Sequence, residues 1–356
     1  MTIWSSPLPG RGTARFFRAW WRGGLFLDGG RKRHPSTARS GGPPPQTWGG
    51  AVGALLLLLA SPAIAAKPAP AIELAWPTDT QPRVPIVIKN TPLIARVALG
   101  FDKAMLLNGA PAARARLKAF PIIGKRTVRN PLIPGGEAVF RGNIYDVAAA
   151  GLPKTGVPTV WVDKPVADDA DGVLSALGFN ADKVVLARAA LPGERVYALT
   201  RKGGGDALIK AQFGGETVNI GLDLRSPDTV MNARAAVALE AAGLVKRSGI
   251  VAFWMPFPAV SLPIERLTPV PGATLLGLPL ARPAARISEA RLQALDARAK
   301  AGTSTALDDA DTITVTAQRQ KKGADPWLLI GRDVLDRCSR IELDRPGKRW
   351  LLTCAF

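Results

Sequence analysis

The chain has 356 residues and a net charge of +19, with 47% apolar and 21% charged residues. That is enough for two ordinary domains with buried cores, and it excludes a disordered polyampholyte. Its only histidine is His34 and its only cysteines are Cys338 and Cys354. With His34 inside the leader described next, the mature chain has no histidine. Ser-His-Asp and Cys-His catalysis, histidine metal sites and zinc fingers are therefore excluded. No Ser-x-x-Lys, Gly-x-x-x-x-Gly-Lys or Gly-x-Gly-x-x-Gly occurs, so no cofactor and no metal is expected. Carboxylate chemistry, or binding without chemistry, remains.

Residues 49–66, GGAVGALLLLLASPAIAA, are uncharged with a Leu-rich centre, and they end in the small-x-small pattern Ala63-Ile64-Ala65-Ala66 before Lys67. The apolar centre of about ten residues is shorter than the ~20 that a spanning helix needs. Two readings follow: a secretory signal cleaved near Ala65 or Ala66, or an uncleaved membrane anchor. The first makes the protein secreted or periplasmic. The stretch ahead of it, with Arg31, Lys32, Arg33 and Arg39, is long for an n-region. Up to Ala66 the chain carries +7 of its charge, leaving +12 for the remainder. A basic mature chain suits anionic envelope surfaces and peripheral membrane contact. The densest basic cluster there, Arg319-Gln320-Lys321-Lys322, reads as a solvated loop, and no nucleic-acid partner is expected.

A Pro/Ala-rich linker over 67–83 precedes a series of short strands. Val84–Lys89, Leu93–Leu99, Ala138–Val147, Val157–Val162, Lys183–Ala187, Arg195–Thr200, Ala207–Phe213, Glu216–Leu222 and Thr312–Ala317 are bounded by Gly, Pro or Asp. Helical patterns are fewer: Ala110–Leu117, Ala233–Ala242, Ser288–Ala301 with Ser288 as N-cap, and Arg332–Arg337. The chain is expected to be mainly β with few short helices. At the end, Arg340–Asp344 and Lys348–Leu352 flank the turn Arg345-Pro346-Gly347, which brings Cys338 and Cys354 nearly opposite. In an exported protein that pair reads as a structural disulfide, with a free reactive pair as the alternative.

An internal repeat runs through these elements. Met105-Leu-Leu-Asn108 and Thr229-Val-Met-Asn232 each precede an alanine-rich helix, 124 residues apart. Asp171-Gly-Val-Leu-Ser175 and Trp327-Leu-Leu-Ile-Gly331 each precede a short turn and a strand, 156 residues apart. An insertion over about 288–311 in the second copy accounts for the difference.

The second copy runs Ile220-Gly-Leu-Asp223-Leu-Arg-Ser226, Thr229-Val-Met-Asn232, a helix, Leu328-Leu-Ile-Gly331-Arg-Asp333, Ile341-Glu-Leu-Asp344 and a final hairpin. This order resembles the pepsin/retropepsin-like aspartic proteases, particularly bacterial secreted members. The resemblance implies a bilobal pepsin-like fold with two retropepsin-like lobes, here 84–204 and 205–356. It also implies one catalytic aspartate per lobe, in an Asp-Thr-Gly motif, at a cleft that takes an extended peptide. Two close carboxylates share a proton, one activating water while the other polarises the scissile carbonyl.

Asp223 occupies the second-lobe position, but Leu224-Arg225 replaces Thr-Gly. A guanidinium reaching Asp223 would favour the ionised carboxylate, the wrong state for a shared proton. In the first lobe, counting nine residues back from Asn108 gives Leu99, and Asp102 stands three residues later. Asp171 and Asp333 read as turn or cap residues. The family's first-lobe hairpin carries a tyrosine; its counterpart over 130–141, with Pro134-Gly135-Gly136 at the tip, has none, and Tyr145 reads as a half-buried strand residue. The expectation is a degenerate protease that binds peptide in its cleft. An active endopeptidase using Asp223 with a displaced Asp102, or a structural envelope protein, are the alternatives.

Overall fold

Two tight turns set the architecture. Lys89-Asn90 and Gly214-Gly215 all have positive φ, between 47° and 79°, and each pair is the two-residue loop of a β-hairpin. Positive φ at both central residues is the mark of a type I′ loop, whose twist matches that of the strands it joins. The first joins β2 (Arg83–Ile88) and β3 (Thr91–Ala98); the second joins β11 (Ile209–Phe213) and β12 (Glu216–Leu222). A computed structural model describes residues 70–77, 80–121, 123–129, 133–201, 207–258, 260–301 and 325–356.

Each hairpin opens a seven-stranded sheet. The first-lobe sheet adds β4 (Met105–Asn108), β5 (Lys125–Arg129), β6 (Glu137–Ala149), β7 (Thr155–Val162) and β8 (Gly172–Ser175), in the order β2-β3-β8-β4-β7-β6-β5. The second-lobe sheet adds β13 (Thr229–Met231), β14 (Val245–Phe257), β15 (Val260–Pro269), β18 (Pro283–Arg286) and β19 (Trp327–Ile330), in the order β11-β12-β19-β13-β18-β15-β14. Strand for strand the orders correspond. So do the senses: β3–β8 and β12–β19 are parallel, β4–β8 and β13–β19 antiparallel, β4–β7 and β13–β18 parallel. A further pairing of β2 with β6 closes the first sheet on itself.

A third, five-stranded sheet joins the lobes. Its order is β1-β9-β20-β21-β10, from β1 (Ala71–Ala75), β9 (Lys183–Ala187), β10 (Arg195–Thr200), β20 (Cys338–Asp344) and β21 (Arg349–Cys354). β1 lies within the stretch read as a linker, where it pairs in parallel with β9. Proline and alanine around it mask its alternation, and pairing supplies what propensity lacks. A small hairpin, β16 (Thr274–Leu275) and β17 (Leu278–Pro279), completes the strands. One apolar cluster runs through everything, from Ile86, Leu107 and Phe179 through Trp350 and Leu352 to Ile220, Met231 and Ile330.

The protein is mainly β, two like lobes with four α-helices among the described residues: α1 (Gly109–Arg114), α2 (Ala233–Ala241), α3 (Glu289–Lys300) and α4 (Arg332–Leu335). Each lies in a segment expected to be helical. Ser288 caps α3, its Oγ accepting from Arg291 N–H. Helix α3 lies between β18 and β19, whereas β7 and β8 are joined without a helix, and there the lobes differ most. The strand expected at Thr312–Ala317 falls outside the described residues. The sequence reading placed no strand over the long β14–β15 hairpin, whose prolines disguise it.

The repeated asparagines have a structural reason. Asn108 Nδ2 donates to the carbonyls of Ala167 and Ala170, and its Oδ1 accepts from Val166 N–H. Asn232 Nδ2 donates to Asp325 C=O, and its Oδ1 accepts from Trp327 and Ala235 N–H. Each amide holds the chain as it approaches the strand crossing its lobe. Asn232 also caps α2, a role Asn108 does not take for α1.

The hairpin at the end of the chain forms as expected. Cys338 stands opposite Cys354 in the β20–β21 ladder, and the two are joined by a disulfide.

Candidate functional site

The ends of β3 and β12 bring one loop from each lobe together. β12 runs parallel to β19 with Leu222 opposite Ile330, and Asp223 N–H continues the ladder to Ile330 C=O at 2.8 Å. In the first lobe Val97 is opposite Leu174 and Ala98 opposite Ser175. Leu174 and Ile330 occupy equivalent places, since Leu106 and Val230 pair with Val173 and Leu329, the residues before them. The residue equivalent to Asp223 is therefore Ala98. The hairpins agree, because Thr91 and Glu216 each begin the outgoing strand and Ala98 and Asp223 follow at the same distance.

This corrects the count that placed Leu99 there. The loop from β3 to Asn108 has one residue more than that from β12 to Asn232, and counting back from the asparagines shifts the frame. In the corrected frame Leu99 answers to Leu224 and Gly100 to Arg225. Both leucines are buried and belong to the shared apolar cluster. Apolar packing thus fills this position in both loops. The loops still touch: a Cβ added to Gly100 would lie 2.7 Å from the carbonyl oxygen of Leu222.

Asp223 is buried, at 4% exposure. Its Oδ1 accepts from Arg225 backbone N–H and from Nε, both at 3.0 Å, and its Oδ2 accepts from Nη2 at 3.2 Å. The third arm of the guanidinium, Nη1, donates to Pro256 C=O at 3.1 Å. The Arg225 guanidinium also lies over the Phe257 ring, 5.3 Å from its centroid. Pro256 and Phe257 end β14, so Arg225 ties the end of that strand to the Asp223 loop.

Asp102 is exposed in the first-lobe loop, and its Oδ1 accepts from Ala207 N–H at 3.2 Å, a link to the start of the second lobe. Asp171 accepts from Ile94 N–H and pairs with Arg114. Tyr145 Oη donates to Lys118 C=O and accepts from Lys118 N–H, which fixes it on the 118 segment. Gly135 and Gly136 turn the tip of the β5–β6 hairpin with positive φ. Ser175, where the second lobe has Gly331, donates its hydroxyl to Phe101 C=O. Gly331 could carry no side chain, since a Cβ there would lie 2.2 Å from Asp228 C=O.

Behind the Asp223 loop sits a cluster that sequence reasoning passed over. Asp333, in the first turn of α4, accepts from Thr229 Oγ1 at 2.9 Å and from Arg282 N–H at 2.8 Å. Burial pushes its carboxyl up to about 6, against those two hydrogen bonds, and the neighbouring Asp228 adds to the rise. Asp228 is itself paired with Arg266 and Arg282. The sequence signal was only an aspartate after Gly-Arg, which reads equally well as a helix-start residue. Among the described residues no group of three or more His, Cys, Asp or Glu side chains could hold a metal ion.

No family model and no curated protein matches the chain. Among solved structures it is similar to an EIAV protease complexed with the inhibitor HBY-793. That likeness has a TM-score of 0.20 and 17% identity, and covers 28% of this chain and 84% of that one.

Proposed function

We propose that this chain is an exported aspartic-peptidase-like protein that has lost the proteolytic dyad and binds an extended peptide between its lobes. The observation that carries the reading is the equivalence of Ala98 and Asp223 at the ends of β3 and β12. A shared-proton pair needs two carboxyl groups in contact. Ala98 offers none, and both oxygens of Asp223 are held by Arg225. Binding without hydrolysis is what such a scaffold can still do, because extended peptides are held through backbone groups and alternate side-chain pockets. Export draws its support from the apolar stretch before Lys67 and from the Cys338–Cys354 bond, since disulfides persist in oxidising compartments.

The test is proteolysis of an unstructured protein substrate by the purified protein, beside Asp223→Asn, from acid to neutral pH. No cleavage by either, with retention of extended peptides, is the expected result. Acid cleavage lost in Asp223→Asn would overturn the proposal and make Asp102 the first candidate for the second carboxylate.

A further inference from the structure

We infer that Arg225 is an autoinhibitory latch, which holds the β14–β15 hairpin down on the Asp223 loop and keeps peptide out of the second-lobe half of the cleft. The inference rests on the reading of that loop as the remnant of a catalytic loop and adds how access to it is controlled.

One guanidinium makes these contacts, and Arg266 of β15 adds a separate ion pair to Asp228 further along the same loop. Two arms of Arg225 lie on the Asp223 carboxylate and the third on Pro256 C=O, with the Phe257 ring packed beneath. Its side chain is 15% exposed, that of Asp223 only 5%. Charge-assisted bonds of this kind, shielded from water, are the stronger ones. The hairpin offers Pro256 C=O because its own ladder is irregular there: the register shifts between Trp254 and Phe257.

The device exists in one lobe only. Gly100 occupies the equivalent position in the first lobe and has no side chain with which to reach a hairpin. A family loop would also have glycine at Arg225, so this arginine adds a fastening between hairpin and loop that such a loop lacks. The hairpin alternates as an amphipathic cover should. Trp254 and Pro256 turn inward, with the Trp254 ring 6.1 Å from that of Trp327, while Phe253 and Met255 are exposed on the outer face.

The test compares the full-length protein with Arg225→Gly and with Arg225→Lys, which keeps the charge but cannot span both partners. Hydrogen exchange is followed at the amides of Val251–Met255 and Phe257, and binding of fluorescein-labelled oxidised insulin B chain by anisotropy. Loss of the latch is expected to speed exchange in this hairpin about 10- to 100-fold in both variants, as for loss of a charge-assisted hydrogen bond. The first-lobe sheet should keep its protection, and the peptide should bind about tenfold tighter, in proportion to a hairpin closed most of the time. Unchanged hairpin exchange, or a uniform rise over both lobes, would overturn the latch. Faster local exchange with equal peptide binding would overturn its inhibitory role. Local release with no peptide bound by any of the three proteins would count instead against the peptide-binding reading.

Discussion

The hydroxyl of Thr229 and the carboxylate of Asp333, 104 residues apart in sequence, meet at 2.9 Å behind the Asp223 loop. The same hydroxyl accepts from Gly331 N–H, so its proton is committed to Asp333. Burial and the nearby Asp228 raise the Asp333 carboxyl to about 6. A carboxyl whose folded value lies above its unfolded one binds protons more tightly in the folded state. Its contribution to stability is complete below the unfolded value and is lost as pH rises through about 6. Urea midpoints of Asp333→Asn should therefore fall less than those of the wild type between pH 4 and pH 6.5. Parallel curves for the two proteins would show that Asp333 does not titrate in this window.

Glu265 is fully buried on β15, with Arg247 at 3.3 Å and Arg291 of α3 at 3.5 Å. Its Oε1 also accepts from Gly249 N–H. Removing one member of a buried ion group leaves its partners uncompensated, at a cost of about 3–5 kcal/mol. Glu265→Ala should lower stability by that order and increase protease sensitivity in α3. A loss under about 1 kcal/mol would mean that water reaches both arginines.

Cys338 and Cys354 are 16 residues apart and close the final hairpin. Cross-linking a loop of that size stabilises by about 3 kcal/mol through the unfolded state. The double substitution Cys338→Ser, Cys354→Ser should lower the urea-derived stability by about that amount, and reductant should lower the wild type equally while leaving the variant unchanged.

Gly100 approaches Leu222 so closely that a methyl group would sit 2.7 Å from a backbone oxygen. Overpacking against backbone costs about 1–3 kcal/mol, because a main-chain oxygen cannot turn aside. Gly100→Ala should destabilise by this order. The same change at Gly136, where a Cβ meets nothing within 4 Å, serves as a steric control: its positive φ of 76° adds strain but no clash.

Much of this molecule could be read from its residues. The paired motifs ending in Asn108 and Asn232 announced two like lobes, because each amide performs the same task at the same point of its sheet. The turn at Arg345-Pro346-Gly347 announced the last hairpin and its disulfide. The frame of the first-lobe loop was not legible, since one additional residue between Ala98 and Asn108 leaves no mark in composition or periodicity and only the ladder fixes it. The β14–β15 hairpin escaped for another reason. Pro256, Pro263 and Pro269 are signals of interruption; β14 tolerates Pro256 at the sheet edge beside a register shift, and Pro263 and Pro269 lie outside the stretch of β15 that pairs with β18. The contact of Arg225 with Pro256 could not be foreseen while that hairpin was missing.

The sheet that joins the lobes draws strands from Ala71 to Cys354. β10 has β21 as its only partner in that sheet, and β20 covers one side of β9. A growing chain halted before Cys338 would lack β20 and β21, the strands that bridge β9 to β10 in this sheet. Completion of this sheet must therefore wait for the last strands, and its rate is governed by distant rather than neighbouring contacts. Until then the sides of β9 and β10 that take β20 and β21 stay unpaired, and chaperones that recognise bare strand edges have their longest opportunity at this seam.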